Sequence, residues 1–117
     1  MAHGVAAMSR KAVDWVLSVR FSPKHAATRL VLVVLAHHYN DLKGRAYPSV
    51  KRLAEECSLS RRQVHYHLRL LEASRLLCIE HERRADGTQR ASSYTFPPFE
   101  AQRAAEQEAR EAAASDG

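Results

Sequence analysis

Long apolar runs are missing from these 117 residues. No stretch of about 18 apolar residues occurs, which argues against a membrane-spanning helix. The opening segment MAHGVAAMSRKAVDW has no uninterrupted apolar core of the kind a secretory leader needs. A cytoplasmic, nucleoid-associated protein with no membrane partner is the expectation. Cysteine is equally scarce. Cys57 and Cys78 are too few and too far apart for a disulfide framework or a zinc motif. Both are expected to be small, buried, reduced thiols. The seven histidines contain no pair at the i, i+4 spacing of a helical zinc site. His37 and His38 are adjacent, and His65 and His67 are two apart, so each pair diverges on a helix. No metal is expected. There is no phosphate-binding glycine loop, no dinucleotide fingerprint, no H-E-x-x-H and no nucleophile elbow. An enzyme is therefore not expected, and neither a cofactor nor a small-molecule ligand is indicated.

Charge is present but unevenly spread. The formal net charge is +5. Residues 1–96 hold 16 basic and 8 acidic side chains, a net of +8, whereas residues 97–117 hold 2 and 5, a net of −3. A basic body with an acidic tail points to a polyanionic partner for the body. Chain length suits one domain with a modest core.

The chain divides into three parts: an N-terminal segment over 1–21, a body over 22–96 and a tail over 97–117. Residues 10–20, RKAVDWVLSVR, repeat apolar positions at spacings of three and four and predict a short helix. Its wide apolar side should pack on the body or on a second subunit. Ser22-Pro23 is a helix start, with a Ser cap and Pro at the first position, where its missing N–H costs nothing. In the helix that follows, Ala27, Leu30, Val31, Val34, Leu35 and His38 are expected to line the core. Asn40 and Gly44 carry turn chemistry. Arg45-Ala46-Tyr47 could form one rung of a small sheet.

Two short helices follow, over about 50–56 and 61–73. Ser49 caps the first, whose apolar positions are Val50, Leu53, Ala54 and Cys57. Ser60 caps the second, and Gln63 three residues later completes an S-x-x-Q capping box. Val64, Leu68 and Leu71 recur at four and three and form a core stripe. That stripe turns Arg61, Arg62, His65, Tyr66 and Arg69 outward and leaves His67 beside the buried edge. From Leu77 the period shortens towards two: Leu77, Ile79 and His81 alternate with Cys78, Glu80 and Glu82. Asp86-Gly87 is a strong reverse-turn pair between two strand-like runs, which predicts a β-hairpin with Arg83, Arg84 and Arg90 at its tip. Pro97-Pro98 ends the sheet. The Ala/Glu/Arg-rich tail has high helix propensity, but Phe99 is its only large apolar residue. A solvent-exposed or fraying helix is expected there.

This order of helix, short strand, helix, turn, helix and hairpin resembles a winged helix-turn-helix DNA-binding domain. More narrowly, Tyr47, Pro48, Ser49, Leu53, Ala54, Leu59, Ser60, Val64, Leu68 and Leu71 resemble the signature of small bacterial, phage and plasmid helix-turn-helix proteins, replication-initiator-like and regulatory. The resemblance covers about residues 22–96. It implies an α+β fold, mainly α with a β-hairpin wing, flanked by an extra N-terminal helix and an acidic C-terminal helix. Two departures stand out. The turn after helix 61–73 reads Glu72-Ala73-Ser74-Arg75-Leu76, with no glycine, so Ser74 or Arg75 must adopt a conformation glycine takes more easily. His65, Tyr66 and His67 replace the more usual Arg and small residues.

The resemblance implies double-stranded DNA as the partner, with helix 61–73 in the major groove. Arg61, Arg62 and Arg69 suit guanine edges or phosphates. Gln63 suits adenine or the capping box, two roles competing for one side chain. His65 and Tyr66 suit bases or backbone. Ser49, Lys51, Arg52 and Ser60 stand at helix starts, where a phosphate fits. Arg83, Arg84 and Arg90, with Thr88 and Gln89, suit the backbone or minor groove as a wing over 83–92. Three functions follow: a transcription regulator; a plasmid or phage replication-initiation or partition protein binding repeated sites; or a winged-helix protein-interaction module. One recognition helix covers few base pairs, so a homodimer through the 10–20 helix, the C-terminal helix or both is a further expectation.

Overall fold

A computed structural model describes residues 10–81 and 92–116. It shows the expected α+β architecture, mainly helical with a two-stranded antiparallel sheet. Among the described residues no helix is long and apolar enough to cross a membrane.

Helix α1 (Arg10–Ser18) turns Ala12, Trp15 and Val16 inward. The Ser18 hydroxyl donates back to the Trp15 carbonyl at 2.6 Å as the helix ends. A 3₁₀ turn, Pro23–His25, leads into α2 (Ala26–His37). Pro23 takes the first position as expected, but the Ser22 side chain makes no capping bond. The buried face of α2 also differs from expectation. Thr28, Val31, Leu32, Leu35 and Ala36 are buried, whereas Ala27 and Val34 are only partly covered and Leu30 is 41% exposed. Residues 30–35 are apolar without interruption, so periodicity cannot select a face. The neighbours select it: α1, α3 and α4 all pack on α2.

After α2 the Asn40 carboxamide accepts from the Leu42 and Lys43 amides, at 2.9 and 3.0 Å. Gly44, at φ 68°, closes the turn. The residue before Tyr47 is a rung of the sheet, as anticipated. The Ala46 amide donates to the Tyr94 carbonyl at 3.0 Å, and the Tyr94 amide donates to Ala46 at 2.9 Å. Arg45 Nη1 ties this rung to Glu80 Oε2 (2.7 Å) and to the Ser93 hydroxyl (3.0 Å).

Helices α3 (Val50–Cys57) and α4 (Arg61–Ala73) follow, separated by Ser58 in the left-handed region at φ 57°. At the far end of α4 the missing glycine has its consequence. Arg75 adopts φ 61°, which lets the Leu76 amide reach the Leu71 carbonyl at 3.1 Å. Strands β1 (Cys78–Glu80) and β2 (Ser93–Thr95) then pair with Ile79 opposite Tyr94. Cys57 is buried as expected, but Cys78 is exposed. The strand period explains this: buried Leu77 and half-buried Ile79 point one way, so Cys78 between them points to solvent.

The tail departs furthest from expectation. Helix α5 (Pro97–Asp116) begins directly after β2. Its first turn is docked rather than frayed, because Phe99 is 3% exposed. The Phe99 ring lies 5.7 Å from Trp15 and 5.5 Å from Tyr39, and Phe96 completes the cluster at 5.6 and 5.3 Å from the same two rings. The Tyr39 hydroxyl donates to Glu100 Oε2 at 3.0 Å. Burial and the Glu100 carboxylate push the Tyr39 pKa up to about 12, so the hydroxyl stays a donor. Arg103 pairs with Asp41 at 2.9 Å. From Ala104 to Ala114 the helix is exposed, as the composition implied.

Candidate nucleic-acid interface

Helix α4 is held in place from both ends and from behind. At its start the Ser60 hydroxyl accepts from the Gln63 amide (3.1 Å), and Gln63 Oε1 accepts from the Ser60 amide (2.9 Å). The expected capping box is present in full, and Gln63 is engaged in it. A cap of this kind is worth about 1 kcal/mol. Behind the helix, Val64, Leu68 and Leu71 are buried at 0, 4 and 1% exposure. His67 adds a polar tie, its Nδ1 2.8 Å from the Thr28 hydroxyl oxygen on α2. Burial, and then nearby His25, push the His67 pKa down. The imidazole there is held neutral as a hydrogen-bonding spacer between two helices.

The outer face of α4 carries Arg61, Arg62, His65, Tyr66 and Arg69, all exposed. Tyr66 is 58% exposed, a large aromatic ring left in water beside the T-shaped His67 ring at 5.2 Å. No acidic residue lies between Glu56 and Glu72, so this face is basic or neutral until Glu72 in the last turn of α4.

Helix α3 stands beside it. The Ser49 hydroxyl accepts from the Arg52 amide at 3.0 Å, and Lys51 and Arg52 are exposed. Arg52 is not wholly uncommitted, because its Nε donates to Glu56 Oε2 at 3.3 Å. Glu56 in turn bonds to His38 Nε2. These contacts push the Glu56 pKa down, the His38 bond most. His38 is thus the hydrogen-bonded core-edge histidine that its place at the end of α2 suggests.

The structure therefore places Lys51, Arg52, Arg61, Arg62, Gln63, His65, Tyr66 and Arg69 on two consecutive helices, with Ser49 and Ser60 as their caps. The hairpin tip is a different case. Arg83, Arg84, Asp86, Gly87, Thr88, Gln89 and Arg90 lie outside the described residues. The base of the hairpin is described, and it adds a feature not apparent in the linear chain. A cleft between α4 and β1 is lined by His65, Arg69 and Glu72 on one side and by Ile79, His81 and Ser92 on the other. His81 Nδ1 and the Ser92 hydroxyl lie 2.8 Å apart across the hairpin. Only the strand register brings these residues to the flank of α4.

Among the described residues no group of three or more His, Cys, Asp or Glu side chains is placed to hold a metal ion.

Residues 25–77 match a family model described as a helix-turn-helix domain. No curated protein and no solved structure matches the chain. The matched span starts at the last residue of the turn before α2, encloses α3 and the capped α4, and stops at Leu77 where the sheet begins; over these residues the chain is similar to that helix-turn-helix family.

Proposed function

We propose that the protein binds double-stranded DNA with sequence preference and acts as a transcription regulator. Helix α4 enters the major groove, and the hairpin over 83–92 meets the backbone or minor groove. The observation that carries the reading is the outer face of α4. Arg61, Arg62, His65, Tyr66 and Arg69 are all exposed on a helix whose opposite side is locked into the core. A basic, rigid helix that fits the groove can reach base edges with its arginines. Ser49, Lys51 and Arg52 serve as backbone contacts at the start of α3, and Ser60 at the start of α4. Gln63 keeps to its cap in the free protein, which favours Arg62 and Arg69 as the base readers. Arg83, Arg84, Thr88, Gln89 and Arg90 belong to the same reading as wing contacts. It assigns binding and no catalysis.

Pairing with a second copy belongs to the proposal too, since two recognition helices give the specificity that one lacks. It is supported by Leu17 and Leu30, 56 and 41% exposed on one shared surface with Phe21 and Val33.

Selection from random duplex DNA, followed by a salt series on the enriched site, tests the reading. Log affinity should fall linearly with log salt. Arg62→Ala should weaken the specific complex by about 1–3 kcal/mol and relax base preference at one position. Equal loss on every sequence would reassign Arg62 to phosphate contact. No enrichment, or binding that ignores salt, would refute DNA binding and favour a protein-interaction module. Placement of the enriched site separates the two nucleic-acid roles. A single operator beside a promoter marks a regulator, and clustered repeats mark a replication or partition protein.

A further inference from the structure

Two acid-free stretches of the chain meet in space. No Asp or Glu occurs between Asp14 and Asp41, and none between Glu56 and Glu72. The first stretch contains the turn Pro23–His25 and the start of α2; the second is α4 with its preceding turn. They are joined where the Thr28 hydroxyl meets His67 Nδ1 at 2.8 Å. Thr28 lies three residues after His25, and His25 is near enough to His67 to act on it electrostatically, so the Pro23–His25 turn lies near the His67 side of α4.

The opposite flank of α4 belongs to the hairpin, through His65, Arg69, Ile79 and His81. The outward face, with Arg62 and Tyr66, lies between the two flanks. A major groove is about 12 Å wide, and an α-helix with its side chains is about 10–12 Å across. A helix that fills the groove therefore has one phosphate wall on each side. The hairpin stands at one wall. The Pro23–His25 turn, on the His67 side, would face the other.

We propose that Lys24, with His25 beside it, is a second DNA-backbone contact that flanks α4 on the side away from the hairpin. This rests on the reading of α4 as the DNA-binding helix. Lys24 is exposed and has no ion pair among the described residues. Its neighbour in the same stretch, Arg29, is not available for this role. Arg29 Nη2 donates to the Leu17 carbonyl at 2.9 Å, and its guanidinium lies over the Phe21 ring at 6.0 Å. Of the other two cations in the stretch, Arg20 precedes the turn, and Lys24 stands on it, directly after Pro23. An ammonium in this position neutralises a phosphate without reading sequence. It widens the footprint beyond what α4 and the hairpin reach.

The test compares wild type, Lys24→Ala, Lys24→Glu and Arg62→Ala on the duplex enriched by selection and on an unrelated duplex, over a series of salt concentrations. For Lys24→Ala the expected result is binding about three- to tenfold weaker on both duplexes, with a log–log salt slope shallower by about 1. Lys24→Glu should be weaker again. Thermal melts of all variants should superimpose on wild type, because Lys24 and Arg62 are both exposed. Wild-type affinity and slope in Lys24→Ala would overturn the inference, as would a loss confined to the specific duplex. If wild type binds DNA and Arg62→Ala impairs it while Lys24→Ala does not, only this inference falls. If wild type binds no duplex, both readings fall together.

Discussion

Truncating Phe99 is the sharpest test of how the C-terminal helix is attached. The ring is 3% exposed and sits within 5.5–5.7 Å of Tyr39 and Trp15, whose own exposures are 2 and 8%. Phe→Ala at a buried site typically costs about 3–5 kcal/mol, from lost transfer energy and the cavity left behind. Aromatic pairs contribute about 0.5–1.5 kcal/mol beyond area, so the upper half of that range fits a ring with two such neighbours. The other anchors of α5 are weaker. The Arg103–Asp41 pair is about one-third exposed at both ends, which limits it to about 0–1 kcal/mol. The Tyr39–Glu100 bond adds about 1 kcal/mol. Phe99→Ala should therefore destabilise the whole domain by at least about 3 kcal/mol, and Arg103→Ala by no more than about 1 kcal/mol. Urea unfolding followed by Trp15 fluorescence and by far-ultraviolet circular dichroism reads both. Trp15 is the chain's only tryptophan and lies in the affected cluster, so its signal reports the site directly. A Phe99→Ala cost below about 1 kcal/mol, with unchanged Trp15 emission, would refute the docking of α5 on Trp15 and Tyr39.

Other outcomes follow from single residues. Arg75 holds φ 61° without being glycine, so Arg75→Gly should stabilise the protein by about 0.5–1 kcal/mol in a urea melt, and a loss of stability would contradict the left-handed turn. The His67 pKa is lowered, first by burial and then by His25. A base with a depressed pKa binds fewer protons when folded, so stability is full above the ordinary imidazole value of 6.5 and falls as pH drops through it. His67→Gln keeps a hydrogen-bonding partner for Thr28 and should flatten that fall between about pH 7.5 and 5.5, as measured by melts across the range; an unchanged pH dependence would show that His67 does not cause it.

Much of the interface is local in origin, and that part is legible in the chain. Ser60 and Gln63 are three residues apart, and the box they form needs nothing else. Val64, Leu68 and Leu71 recur at the helical period, and the exposure of Arg61, Arg62, His65, Tyr66 and Arg69 is the geometric complement of that stripe. The absence of a glycine where the chain must turn marks Ser74 or Arg75, and the structure gives the left-handed residue as Arg75. The rung at Ala46 and the strand start after Leu77 follow from turn residues and alternation.

What the linear chain leaves open depends on neighbours far away in sequence. Helix α2 is apolar almost all round, so only the packing of α1, α3 and α4 decided that Leu32 and Ala36 go inward while Leu30 stays in water. Phe99 is a lone aromatic in an Ala/Glu/Arg tail. Its burial required Trp15, Tyr39 and Phe96 to converge from three separate segments. Lys24 is an ordinary exposed lysine until Thr28 and His67, 39 residues apart, come within 2.8 Å. The sequence by itself determined the helices, the caps at Ser49 and Ser60 and the outward face of α4, because those are set by interactions within a few residues. Tertiary structure alone decided which side of α2 is core, what holds α5, and which basic groups stand beside α4, because each is a contact between segments whose separation no local period encodes.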